Sequence, residues 1–211
     1  MATVHLSPEE FARVANVSRE TMPAFLAYAD HLVKWQASLN LVSRRSLDDL
    51  WRRHMLDSVQ LVPLLPKTGT IVDIGAGAGF PALPVSLAAN RPVRLVESDA
   101  RKCAFLREAV RLTGADAAVV NARIESIEVA GEKNSVDIIV ARALAPLSIL
   151  CEMADSLRAT TCVFLKGGRW QDELTEAEKA WKMRVETFES LTEPDARILR
   201  ITDLALRTGG N

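Results

Sequence analysis

Cysteine is scarce in this sequence. The three present, Cys103, Cys151 and Cys162, are scattered and odd in number. They support neither a disulfide framework nor a metal cage and point to a reducing cytoplasm. Also missing is any apolar run near the roughly 20 residues needed to span a bilayer. The opening Met-Ala-Thr-Val-His-Leu-Ser lacks the basic head and apolar stretch of a secretory signal. Charge of one sign is not in excess either: Lys and Arg number 26, Asp and Glu 27, for a net charge of −1. That excludes binding of nucleic acid through the overall field and leaves only local basic patches for the purpose. No spacing of His, Cys and carboxylates suggests zinc or another metal, and no Ser, His and Asp grouping marks a hydrolase.

What is there is an ordinary globular composition, 48% hydrophobic and 25% charged over 211 residues, enough for one domain with a core. The first third reads as helix. Ser7-Pro8-Glu9-Glu10 combines an N-cap, a first-turn proline and an acid three residues on. Met22, Phe25, Leu26, Ala29, Leu32 and Val33 recur at helical spacing. Ser46-Leu47-Asp48-Asp49 is expected to cap a further helix carrying Leu50, Trp51 and His54 on one side, ended by Pro63 and Pro66.

From Gly69 the pattern changes. Short apolar runs (71–74, 93–96, 118–120, 136–140 and 162–165) alternate with helical stretches (84–89, 100–112, 147–157 and 171–183). Alternation of this kind predicts a mainly parallel sheet with helices on both faces. Residues 185–188 and 198–201 would add two strands, and 207–211 read as a disordered tail. The expected organisation is an N-terminal helical segment over 1–66 packed on a Rossmann-like α/β domain over 67–211.

The main chemical signal is Asp73-Ile74-Gly75-Ala76-Gly77-Ala78-Gly79-Phe80-Pro81, which follows a strand and opens a helix. Glycine is needed where backbone turns tightly or lets a ligand approach. The G-x-G-x-G spacing differs from the dinucleotide fingerprint and lacks the Gly-Lys-Ser/Thr ending of a phosphate loop. Glu97 ends the next strand, where an acid can accept both ribose hydroxyls of an adenosine ligand. Asp73 is placed to orient backbone amides or to meet an ammonium group. Together these parts describe a site for S-adenosylmethionine, against the plainer alternative of a tight turn with no ligand.

The chemistry of transfer is narrowed by what the motifs omit. No cysteine follows a proline, as pyrimidine-carbon methylation requires. After the fourth strand the sequence reads Ala141-Arg142-Ala143-Leu144-Ala145-Pro146 rather than an Asn/Asp-Pro-Pro-aromatic motif for an exocyclic amine. A target that needs no deprotonation fits, such as guanine N7, for which alignment and exclusion of water suffice.

Lys34-Trp35, Asn40-Leu41-Val42-Ser43, Arg53-His54-Met55-Leu56-Asp57-Ser58, Asp73 through Pro81, Glu97-Ser98, Lys102, Phe105-Leu106, Arg123-Ile124-Glu125, Ala141-Arg142-Ala143 and Leu165-Lys166-Gly167 occur in that order. Over roughly Phe25 to Leu204 the sequence resembles the RsmG family, also called GidB (glucose-inhibited division protein B), the bacterial 16S rRNA guanine-N7 methyltransferases. The resemblance implies a class I S-adenosylmethionine-dependent methyltransferase fold, methylation of a guanine N7 in 16S rRNA of the small ribosomal subunit, and a monomer without metal or membrane attachment. It puts cofactor contacts on Gly75, Phe80, Ile124, Glu125 and Arg142, beside Asp73, Gly77 and Glu97. Arg142 is the expected catalytic residue, acting by position and charge with no general base. The loop continues Pro81-Ala82 where relatives often have Pro-Gly, a small change.

Arg123, Lys166 and His54 are candidates for the substrate. The charge clusters Arg44, Arg45, Arg52, Arg53 and Arg101, Lys102, Arg107, Arg111 read first as solvated helix faces. The resemblance favours an RNA-facing role for Arg123, Arg142 and Lys166. His54 and Asp57, three apart on a helix, share a face and could form a hydrogen-bonded pair, while residue type alone favours an ordinary helix-packing histidine. Trp35 and Trp51 read as core. Two rival functions stay open: a methyltransferase for another RNA, a protein or a small molecule, and a non-catalytic nucleotide- or RNA-binding Rossmann domain.

Overall fold

The structure, a computed structural model, describes residues 5–127 and 135–207. Four helical pieces come first: α1 (Pro8–Val14), α2 (Met22–Gln36), α3 (Arg44–Leu47) and, after a π-helical turn over Trp51–Leu56, the short α4 (Asp57–Val59). The α/β part then runs β1 (Ile71–Ile74), α5 (Ala82–Ala89), β2 (Val93–Glu97), α6 (Ala100–Thr113), β3 (Ala117–Asn121), β4 (Ile138–Arg142), α7 (Leu147–Ser156), β5 (Thr161–Lys166), α8 (Trp170–Ala180), β6 (Trp181–Glu189) and β7 (Arg197–Leu206).

Local chemistry sets many of these ends. Ser7 and Glu10 form the anticipated capping box at α1. Asp99 caps α6 by accepting from Arg101 and Lys102 N–H groups, and Gly114 ends that helix in the left-handed region. Three sequence expectations need correction. Ser43, not Ser46, caps the next helical piece, which stops at Leu47; the chain resumes in the π turn that holds His54. The helix expected to reach Met183 ends at Ala180. From Trp181 on, the order Trp-Lys-Met-Arg-Val alternates apolar with polar residues, which suits a strand with one covered face, and Trp181 is buried. The fourth strand also lies later than expected, ending on Arg142 itself. Of the expected tail, Arg207 donates to Glu178 and Trp181 carbonyls; the rest of it lies outside the described residues.

The sheet order is β3-β2-β1-β4-β5-β7-β6, with β7 antiparallel to both neighbours and the other pairs parallel. The central strands are buried on both faces, as their continuous Val and Ile runs require. One apolar cluster joins Phe11, Phe25, Tyr28 and Leu32 of the leading helices to Leu95, Phe105 and Val163 on one face of the sheet. A second, including Ile139, Leu150, Cys162 and Trp181, fills the other face. The chain leaves β1 toward β2 on one side, while β4 adds on the other, so the crevice at this reversal opens above the carboxyl ends of β1 and β4.

Candidate active site

That crevice is lined from the glycine loop outward. Gly75, Gly77 and Gly79 all have positive φ, at 70°, 55° and 91°, a region where a Cβ is costly. Their surroundings differ. A Cβ on Gly79 would lie 2.9 Å from the Tyr28 hydroxyl. One on Gly77 would meet nothing closer than the Gly75 carbonyl at 3.8 Å, so this position keeps its open side toward the crevice. The loop is held by its neighbours. Tyr28, fully buried on α2, donates to the Ala78 carbonyl. Glu97 accepts from Gly77 N–H at 2.9 Å and from Asp99 N–H at 2.8 Å. Asp73 accepts from Ala82 N–H at 3.1 Å through one oxygen, while its other oxygen is buried with no partner among the described residues. Burial raises the Asp73 carboxyl to about 7, against the pull of Ala82 N–H and Arg142.

Arg142, at the end of β4, ties the loop to the leading helices. Its Nη1 donates to the Arg53 carbonyl at 2.9 Å and to Asp57 Oδ2 at 3.2 Å, and its Nη2 lies 2.7 Å from His54 Nδ1. Arginine has only donors, so His54 Nδ1 must be the acceptor. The ring proton therefore sits on Nε2, which donates to Ser46 Oγ at 2.9 Å. Burial, with Arg142 and Arg53 nearby, lowers His54 to about 3, so the ring is neutral. Phe80 lies beneath both groups, stacked on His54 at 4.8 Å with the Arg142 guanidinium carbon 4.9 Å from its centroid. Of the two readings of His54, the pair with Asp57 does not form. The two share a face, but each bonds Arg142 rather than the other, because the π turn sets both around one guanidinium. The Nε–H and second Nη2–H of Arg142 have no partner among the described residues.

Two cavities meet here. The first, about 420 Å³, is lined by Gly75, Gly77, Phe80, Glu97, Arg123, Ile124, Glu125 and Arg142. The second, about 650 Å³, takes in His54, Asp57, Lys166, Arg169, Glu173 and Arg197. They share Leu41, Val42, Arg142, Ala143 and Leu144 as a common wall. Ala143 holds that wall at φ 52°, a conformation that costs an L-residue about 1 kcal/mol. Of the residues singled out by sequence, Asp73 lies under the loop rather than on the cavity surface, and Lys166 is buried, its Nζ 2.5 Å from Glu173. Arg52 and Arg111 are spent on Asp49 and Glu108, the plain outcome for charged faces.

Several contributors gave no sequence signal. Thr192, in the loop joining β6 to β7, donates to Asp57 Oδ1 at 2.6 Å. Asn121 donates to the Glu97 and Ser98 carbonyls, both at 3.1 Å. Tyr28 and Glu173 complete the set. Among the described residues no group of three His, Cys, Asp or Glu is placed to hold a metal, and no helix is long and apolar enough to cross a membrane.

Comparison with known proteins settles the family. The profile described as rRNA small subunit methyltransferase G (GidB) matches residues 21–199. The chain belongs to the rRNA small subunit methyltransferase G family. Members named ribosomal RNA small subunit methyltransferase G include one from Paramagnetospirillum magneticum, 46% identical over 204 residues, covering 95% of this chain and 97% of that protein. The Gluconobacter oxydans member is 46% identical over 192 residues, with 90% and 97% covered. Solved structures carry the fold. An S-adenosylmethionine-dependent methyltransferase from Aquifex aeolicus superposes with a TM-score of 0.55 at 16% identity, covering 75% of this chain and 95% of that one. A mutant of MtNAS in complex with S-adenosylmethionine gives 0.58 at 13% identity, covering 93% and 84%. The fold is the class I methyltransferase fold, and the family is one of S-adenosylmethionine-dependent methyltransferases.

The site residues suit that cofactor. The first cavity falls in the range of small-molecule pockets. It offers an open glycine face at Gly77, a carboxylate at Glu97 and the turn Ile124–Glu125. The unpartnered oxygen of Asp73 lies behind the same loop and is complementary to a cation.

Proposed function

We propose that this family member methylates N7 of a guanine in 16S rRNA, with the small ribosomal subunit as substrate, acting as a monomer in the cytoplasm. Its cofactor supplies an electrophilic methyl group on a sulfonium. In this reading Gly75, Gly77, Phe80, Ile124 and Glu125 hold that cofactor, Glu97 receives its ribose hydroxyls, and Asp73 supports the loop from beneath through Ala82 N–H.

The observation that carries the reading is the state of the groups at the wall between the cavities. His54 is the one imidazole there, and its basic lone pair already accepts from Arg142. Its ring is neutral, with a pKa near 3. Asp57 is engaged by Arg142 and Thr192. Groups so occupied are poor proton acceptors and good positioners. A nucleophile that bears no proton, as guanine N7 does at neutral pH, suits such a wall. Arg142 then acts by charge and placement, and water is kept from the junction by Leu41, Val42 and Leu144. The exposed cations Arg123, in the first cavity, and Arg169, in the second, are suited to backbone phosphates.

The test uses purified protein, labelled S-adenosylmethionine and small subunits from a strain lacking the gene. Label on one guanine of 16S rRNA is the expected result. Label on protein or free metabolites would replace the RNA reading, and cofactor binding without turnover on any fraction would replace the enzymatic one.

A further inference from the structure

The second cavity holds a fixed pair that the transfer chemistry leaves unused. Lys166, at the end of β5, is buried to 8% exposure beside Glu173 of α8, with 2.5 Å between Nζ and Oε2. The pair is built rather than incidental. Lys166 Nζ also donates to the Ala145 carbonyl at 2.9 Å, and Glu173 Oε2 also accepts Leu147 N–H at 2.9 Å. These contacts occupy one carboxylate oxygen and two ammonium hydrogens. Glu173 Oε1 and the third Lys166 hydrogen have no partner among the described residues, and both residues line the cavity. The pair lining the cavity therefore keeps one free donor beside one free acceptor, while its other contacts hold it in place.

We propose that this pair reads the target base as guanine, an inference that rests on the rRNA-methylation reading above. Guanine presents O6, an acceptor, next to N1–H and the exocyclic amine, both donors. Lys166 donates to O6, and Glu173 Oε1 accepts from N1–H and the amine. Adenine and cytosine present a donor and then an acceptor along the same edge, which puts like against like at both positions. Uracil matches at O4 and N3–H but turns its O2 lone pairs toward the carboxylate. Specificity thus arises from repulsion as well as attraction. Position agrees. O6 lies between N1 and N7 around the purine, so a base held by this edge keeps N7 at its flank. Arg142 pairs with Leu165, the neighbour of Lys166, across β4 and β5, so the reading pair and the wall to the first cavity share one stretch of sheet edge.

Two measurements test this. The first is single-turnover methyl transfer by the wild type and by Glu173→Gln, on small subunits carrying either guanine or inosine at the target position. Inosine keeps O6, N1–H and N7 but lacks the amine. The wild type should lose about tenfold or more on inosine. The Gln variant should be slower on guanine by a similar factor and discriminate far less between the two bases. The second is titration with S-adenosylhomocysteine, whose affinity should be unchanged, since Glu173 does not line the first cavity; this also reports that the variant is folded. A Gln variant as fast as the wild type, or one that keeps the full guanine-to-inosine ratio, would overturn the proposal. A wild type that labels no rRNA would instead bring down the reading beneath it.

Discussion

Asp73 and His54 show how burial sets opposite pH responses within one site. Asp73 keeps its proton to about pH 7 in the folded chain, against an ordinary 3.8. The unfolded chain releases that proton earlier, so this group's contribution to stability is lost as pH rises from about 4 to about 7. His54 stays neutral to about pH 3, against an ordinary 6.5, so its contribution is lost as pH falls from about 6.5 toward 3. The two slopes oppose each other between about pH 4 and 6.5 and largely cancel in the wild type. Asp73→Asn should therefore steepen the loss of melting temperature on acidification, and His54→Asn should reverse it. Thermal unfolding of the three proteins at stepped pH checks this, and parallel curves would show that neither group sits in the environment described. Arg142 obeys a different logic, because its planar fork meets a carbonyl, a carboxylate and an imidazole at once. Arg142→Lys keeps the charge but cannot span all three. Arg142→Ala should abolish transfer and Arg142→Lys should come close to doing so, with both proteins folded. Unimpaired turnover in either, measured with labelled cofactor, would remove Arg142 from the reaction.

At the scale of elements, the β6–β7 loop works as a clamp. Leu191 N–H reaches Gln60, the Thr192 carbonyl takes Arg52, and Glu193 pairs with Arg53, while Thr192 Oγ1 fixes Asp57 behind Arg142. Thr192→Val preserves shape and removes that donor, leaving Asp57 Oδ1 with Gln60 Nε2 as its remaining partner. The expected cost is about 1–2 kcal/mol, read by denaturant unfolding, together with slower single-turnover transfer. Full activity despite the lost stability would mean that the clamp supports the fold and not the site. This loop also marks where sequence reading ends. The parallel strands were legible because strands buried on both faces leave continuous apolar runs. The glycine loop and Glu97 were legible because a tight turn and a strand-end acid have fixed local spacing. Thr192 lies 135 residues from Asp57, and Tyr28 lies 50 from Ala78; no local period records such partners. The α8–β6 junction was missed for a nearer reason. Helical and alternating patterns overlap at Trp181 and Met183, and the antiparallel pairing of β6 with β7 decides between them.

For the whole molecule, the question is how a chain of net charge −1 engages a polyanion. Much of its positive charge is neutralised locally, as in Arg52–Asp49, Arg111–Glu108, Lys179–Glu176 and Arg200–Glu186. The exposed Arg123 and Arg169 instead line the first and second cavities. A small set of cations grouped at one edge makes binding local, so its salt dependence reports the number of phosphates met rather than the net charge. In the proposed reading the first cavity, by contrast, takes its ligand through backbone, ribose and adenine contacts that salt screens little. Raising salt from about 50 to about 200 mM should therefore weaken the Michaelis constant for small subunits by about tenfold or more, while S-adenosylhomocysteine affinity changes little. Arg123→Glu combined with Arg169→Glu should raise that constant at low salt and flatten its salt dependence. A Michaelis constant indifferent to both salt and charge reversal would mean that the subunit is recognised through surfaces other than this edge, since phosphate contacts cannot be made without releasing counterions.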